Sequence, residues 1–190
     1  MTQKNTPVAI IGAMEQEIAL LQSRIAQPQH EKVAHVAITR GTLAGKPILL
    51  AQSGIGKVNA AITTTILLEK YQAACVINTG SAGGLQGGMK QGDVVVGIQT
   101  AHHDADATAF DYVIGQLPQM PARYEADAAL VEPAARAAIA QTCYQFARPC
   151  VIIRALSDLA DGEAEYSFET FLQMAATHSA EMVENLVKAL

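Results

Sequence analysis

Apolar residues along this chain fall into two rhythms, short unbroken runs and helical repeats, and the two alternate. Val8 to Ile11 is a short apolar run closed by Gly12, which predicts a buried strand. Met14 to Ile25 then places Ile18, Leu21 and Ile25 at helical spacing, with Glu15 and Glu17 in a first turn whose dipole they complement. Val33 to Thr42 and Lys46 to Gln52 predict a hairpin about Ala44-Gly45. Lys57 to Tyr71 predicts a helix, and Ala74 to Asn78 and Asp93 to Ile98 predict strands. Ala101 to Tyr124, carrying Pro118 and Pro121, has no sustained period and reads as loop-rich. Glu132 to Phe146 predicts a helix, with Pro133 at its first position and Pro149 beyond its end. Cys150 to Ala155 is a continuous apolar strand. Phe168 to Leu190 predicts an amphipathic helix with Phe168, Phe171, Leu172, Ala175, Ser179, Met182, Val183, Leu186 and Leu190 on one face. Strands alternating with helices predict a single α/β domain over 1–190, a mixed twisted sheet with helices on both faces.

Composition narrows the partners. The chain has 190 residues, 50% of them hydrophobic and 16% charged, which suits one compact core. Its net charge of −5 disfavours nucleic acid, whose phosphates need clustered Lys and Arg. No apolar run reaches the ~18 residues of a membrane span, and Met1 to Thr6 is polar, unlike a signal peptide. Cys75, Cys143 and Cys150 are three cysteines without close metal spacing, and a reducing cytoplasm is the expected compartment.

Candidate chemistry sits just after the strands, where an open α/β sheet builds its crevice. After the first strand comes Gly12-Ala13-Met14-Glu15-Gln16-Glu17. Ser53-Gly54-Ile55-Gly56-Lys57 fails the P-loop pattern, with Ala51 in place of its first glycine and Val58 in place of the Ser or Thr that binds magnesium. Asn59 breaks the dinucleotide pattern as well, which leaves a tight turn that opens a helix. Gly80-Ser81-Ala82-Gly83-Gly84 could let a ligand approach the backbone closely, or could be an ordinary glycine turn. Asp158 closes a strongly apolar strand, where a carboxylate is partly desolvated and suited to general-acid work; the plain alternative is a helix N-cap. Glu17 alone reads as a solvated dipole partner. His102, His103, Asp104 and Asp106 suggest a metal, but neighbours on an extended chain point to opposite faces, and no metal is expected.

Together and in this order, the segments Gly12 to Glu17, Ser53 to Lys57, Asn78 to Gly84 and Arg154 to Asp158 closely resemble the bacterial 5′-methylthioadenosine/S-adenosylhomocysteine nucleosidases. The resemblance implies a nucleoside phosphorylase-like fold. It also implies hydrolysis of the N-glycosidic bond of an adenine thionucleoside without a cofactor. By that resemblance Glu17 takes a proton from the attacking water and Asp158 protonates N7 of adenine, with Ser157 beside it. Met14 packs by the ribose, Ile55 faces the substrate, and Ser81, Ala82 and Gly83 line the purine and ribose site. Phe168 meets the 5′-alkylthio group. Phe110 and Pro118 cross a homodimer interface to cover the partner's pocket.

The resemblance is broken between Ala140 and Gln141. Family members run to roughly 230 residues, so roughly 40 are missing here, more than loops ordinarily vary. The flanks read as two family helices fused into one. The absent stretch implies the loss of one central strand, an aromatic that stacks on adenine and a Met-Glu pair that binds the ribose hydroxyls. The expected pocket lacks a wall and turns over slowly. Two rival readings follow: a phosphorolytic relative, which needs a phosphate site for which Arg40 and Lys57 are the nearby cations, and a truncated relative that binds adenine nucleosides or pairs with an intact subunit.

Overall fold

The computed structural model describes residues 6–126, 137–158 and 164–190, with side chains in the last two spans described from Ala138 and Phe171 on. Its elements are β1 (Val8–Gly12), α1 (Glu15–Arg24), β2 (Ala26–Val33), β3 (Val36–Leu43), β4 (Lys46–Gln52), α2 (Lys57–Glu69), β5 (Val76–Asn78), β6 (Ser81–Gly83), β7 (Val94–Val96), β8 (Gln99–Thr100), β9 (Tyr124–Glu125), α3 (Ala137–Gln145), β10 (Cys150–Asp158) and α4 (Ala164–Ala189). The main sheet is mixed. Its strands are hydrogen-bonded in the order β2-β3-β4-β1-β5-β10, and β6 and β7 also pair with β10. β1 runs parallel to β4 and β5, and β10 runs parallel to β5 and β6. β2, β3 and β4 form an antiparallel meander, and β7 is antiparallel to β10.

All residues of β1, β5 and β10 are buried, as a strand covered on both faces must be. The cover comes from two helix pairs, α1 with α4 and α2 with α3. Ile10, Ile11, Leu50, Ile77 and Ile152 are fully buried side chains of this core. At the β3–β4 turn Ala44 and Gly45 both have positive φ, 51° and 81°, the geometry that two-residue hairpins use.

β5 and β6 are in effect one strand interrupted at Thr79-Gly80. Val76 lies opposite Cys150 and Ser81 opposite Ala155, the same register throughout. The backbone of odd-numbered Pro149 and Ala155 bonds to this strand, whereas Leu156 bonds to Asp93 on the other side. β10 is therefore paired on both sides at Ala155 and Leu156. α3 runs through 140–141 without interruption; the predicted helix start at Glu132 and Pro133 lies outside the described residues.

Three expectations need correction. β2 went unpredicted because AQPQHEKV is polar and contains Pro28; it is an exposed edge strand, where proline is tolerated. The plain glycine-turn alternative for Gly80 to Gly84 falls, because Ser81–Gly83 pairs with β10. The buried face of α4 keeps the predicted Ala175, Ser179 and Val183 but is shifted to one side of the predicted stripe. Ala176, Ala180 and Val187 are buried, whereas Met182 and Leu190 are about 40% exposed. Small residues let the helix sit close to β10, and a pattern weighted by large side chains misses them.

All three cysteines are buried and none forms a disulfide. A hydrogen bond with Cys150 and burial push the Cys143 thiol well up from its ordinary value. Among the described residues no helix is long and apolar enough to cross a membrane.

Candidate active site

Two carboxylates are built at the C-terminal ends of the parallel strands. β1 ends at Gly12 and the chain enters α1 through Met14, whose backbone is extended. Glu17, in the first turn of α1, folds its side chain back over that entry. Its Oε2 accepts from the backbone N–H of Ala13 at 2.8 Å and of Met14 at 3.0 Å. Its Oε1 accepts from the Ser81 N–H at 2.9 Å and the Ser81 hydroxyl at 3.1 Å. These four contacts are all donors, which suits a carboxylate, an acceptor only when ionised. Glu17 is 4% exposed, so the reading of it as a solvated dipole partner fails.

Asp158 ends β10, just past a bulge at Leu156/Asp158, an irregularity that re-aims a side chain. It is buried, and Ser157 Oγ donates to its Oδ1 at 2.9 Å. The same hydroxyl lies 3.5 Å from the Ala82 carbonyl, and the Gly84 N–H donates to the Asp158 carbonyl at 2.9 Å. Glu17 and Asp158 are therefore fastened to one short strand: Ser81 holds the first, and Ala82, Gly83 and Gly84 adjoin the second. Two residues of strand separate the anchor points, about 7 Å.

Of the predicted site residues, the fold gathers Glu17, Met14, Ser81, Ala82, Gly83, Ser157 and Asp158 around β6. Met14 and Ala82 are half-buried and Gly83 is exposed. Ile55 follows β4 at the mouth of α2 and is 75% exposed. Phe110, also 75% exposed, and the exposed Pro118 lie on the long segment between β8 and β9. That segment is tied to the start of α2 by a Lys57–Asp104 ion pair. The side chain of Phe168 lies outside the described residues. Among the described residues no His, Cys, Asp and Glu cluster is placed to hold a metal. His102 bonds to Gln141, and Asp106 accepts from the Thr108 hydroxyl and N–H. Two open grooves of about 380 Å³ lie elsewhere, one between Tyr124 and Cys150 and one along Arg24 and Glu184.

Sequence reasoning left Arg154 without a role. It is 5% exposed and follows the apolar run Cys150–Ile153 of β10. Its Nη2 donates to Asn78 Oδ1, and Asn78 Nδ2 donates to the Ile11 carbonyl at 2.7 Å. A Cβ built at Gly80 would lie 2.4 Å from Glu17 Oε1 and 3.1 Å from Arg154 Nη1. Carboxylate and guanidinium thus approach each other across the space a side chain at 80 would fill. The signal was available: a charge in the middle of CVIIRALSD can be buried only with partners.

Residues 7–136 match the phosphorylase superfamily. A 5′-methylthioadenosine/S-adenosylhomocysteine nucleosidase of Anoxybacillus flavithermus is 44% identical over 228 aligned positions, covering 96% of this chain and 98% of the relative. The chain belongs to this nucleosidase family of the phosphorylase superfamily. The nucleosidase of Staphylococcus saprophyticus is 41% identical, with 96% of this chain and 100% of the relative covered. The nucleosidase structure from Neisseria meningitidis, in complex with methylthio-immucillin-A, superposes with a TM-score of 0.94 at 43% identity, covering 97% of this chain and 100% of that one. An alignment of 228 positions cannot be filled by 190 residues, so at least 38 positions of the nucleosidase span have no counterpart here. The superfamily match stops at 136, close to the predicted break.

Proposed function

We propose that this chain hydrolyses the N-glycosidic bond of 5′-methylthioadenosine and S-adenosylhomocysteine, releasing adenine and a 5-thio-substituted ribose. The observation that carries this reading is the pair of buried carboxylates fastened to β6, on a chain belonging to the nucleosidase family. Asp158 donates a proton to N7 of the base as the C1′–N9 bond breaks, so adenine leaves neutral. Water attacks C1′ of the oxocarbenium-like ribosyl centre, and Glu17 accepts the water's proton. Ser157, hydrogen-bonded to Asp158, orients the acid. Arg154, across the Gly80 gap from Glu17, contributes a fixed positive charge on the water's side. Met14, Ile55, Ser81, Ala82, Gly83 and Phe168 line the nucleoside. The reaction draws on no cofactor.

The same reading makes the working unit a cytoplasmic homodimer. Ile55, Val58, Phe110, Val113 and Ile114 are all more than half exposed, a run of apolar surface from the mouth of α2 to the 110–114 segment. A second copy burying it would bring Phe110 and Pro118 over the partner's pocket. The positions absent relative to the family slow turnover, because contacts that strengthen toward the transition state are the ones that raise kcat.

Phosphorolysis is the weaker alternative. Lys57 is paired with Asp104, and Arg40 is exposed in the middle of β3 opposite Leu49. The test is adenine release from methylthioadenosine by purified protein, with and without phosphate. Release independent of phosphate is expected. Release only with phosphate would establish the phosphorylase, and none in either condition would leave a nucleoside-binding relative.

A further inference from the structure

One buried hydroxyl has no part in the chemistry described so far. Ser179 sits in the middle of α4, wholly buried, on the helix that packs against β10. A serine inside a helix commonly returns its hydroxyl to the carbonyl one turn back. Ser179 Oγ instead bonds across to the sheet: it lies 2.6 Å from Thr79 Oγ1 and accepts from the Gly80 N–H at 3.3 Å. Both partners belong to the two-residue interruption between β5 and β6.

That interruption sets the direction in which Ser81 points. Gly80 has φ 151°, a conformation that L side chains rarely adopt. Its N–H turns out of the sheet ladder to Ser179, while its carbonyl stays in the ladder and accepts from Ala155 at 3.0 Å. The next residue, Ser81, presents both its N–H and its hydroxyl to Glu17 Oε1. The space that a Cβ at Gly80 would fill is the space occupied by Glu17 Oε1. Thr79 is fixed on its other side by its N–H bond to the Ile11 carbonyl at 2.9 Å, so Ser179 completes the clamp on the Thr79-Gly80 step.

We propose that Ser179 is a positioning residue for the glycosidase. By holding the interruption between β5 and β6, it aims the two Ser81 donors and so fixes the carboxylate that receives the water's proton. This inference rests on the glycosidase reading given above. A side chain 162 positions along the chain from Glu17 thereby reaches the reaction through a single turn of backbone.

The test compares Ser179→Ala with Val183→Ala, a truncation on the same helix of a buried core side chain that can make no hydrogen bond. Ser179→Ala should lower kcat about tenfold or more with KM within about twofold, as loss of a transition-state interaction does. Val183→Ala should lower the melting temperature at least as much and leave kcat within about twofold. A second readout does not need activity. The amide resonances of Ala13 and Met14, which donate to the far oxygen of Glu17, should move in Ser179→Ala and stay in place in Val183→Ala. Unchanged kcat, an equal loss in the two variants, or unmoved Ala13 and Met14 amides overturns the proposal. If the unmodified chain releases no adenine, the glycosidase reading fails by itself, and the amide shifts alone decide whether Ser179 positions Glu17. Should Ser179→Ala not fold, Thr79→Val removes the partner hydroxyl while keeping its shape and carries the same expectations.

Discussion

At the scale of single residues, Glu17 and Asp158 differ in how they are held. Glu17 is gripped through both oxygens by four donors, so its carboxylate has one orientation. Asp158 takes the Ser157 hydroxyl on Oδ1, at the end of a strand with no exposed residue. Asp158→Asn keeps the shape and removes the proton that the leaving base needs. It should cut kcat for adenine release about 100-fold or more, within the range for losing a positioned acid. Turnover unchanged from the unmodified chain would remove Asp158 from the mechanism. Asp158 was legible as a carboxylate closing an apolar strand, whereas Glu17, Ser81 and Ser157 stood out only through the family resemblance. Thr79 and Ser179 did not stand out, because a hydroxyl that bonds to another buried hydroxyl leaves no periodic trace. Residues 79 and 179 meet only once the sheet and α4 are assembled.

At the scale of elements, periodicity found every long helix and every fully buried strand, since burial on two faces demands unbroken apolar runs. It failed where pairing rather than burial makes the strand: β2 is held by its ladder to β3, with most of its side chains exposed. One contact between elements lends itself to measurement. Glu184 on α4 pairs with Arg24 at the end of α1 at 2.6 Å and with Lys188 at 2.9 Å. The Lys188 ammonium first, and the Arg24 guanidinium after it, hold the Glu184 carboxyl below the ordinary glutamate value. A depressed value in the folded state means stability that is present above the unfolded value and lost as pH falls through the folded one. Glu184→Gln should therefore destabilise the protein at neutral pH, by less than about 1 kcal/mol because the pair is partly solvated. In urea titrations that difference should vanish at acid pH and shrink with added salt.

At the scale of the whole molecule, the sequence predicted the α/β class but not the way β10 is covered. The chain carries at least 38 fewer positions than its aligned relatives, yet β7 and the β5–β6 strand flank β10 on both sides. Assembly is the larger expectation at this scale. Sedimentation at micromolar concentration should give a dimer, and Phe110→Ser should shift it toward monomer, because one buried aromatic supplies much of such an interface. A monomer in the unmodified protein would exclude the shared pocket. The three sheltered thiols have a use of their own. Cys75 precedes β5, Cys150 begins β10 and Cys143 lies in α3 beside them, so all three sit where α3 covers the start of the central strands. A thiol-specific dye added to the resting protein finds almost nothing to react with, and each modification waits for this corner to breathe open. The chain thus carries its own clock: the pace of dye uptake counts the openings of the region where its sequence is shortest relative to its kin.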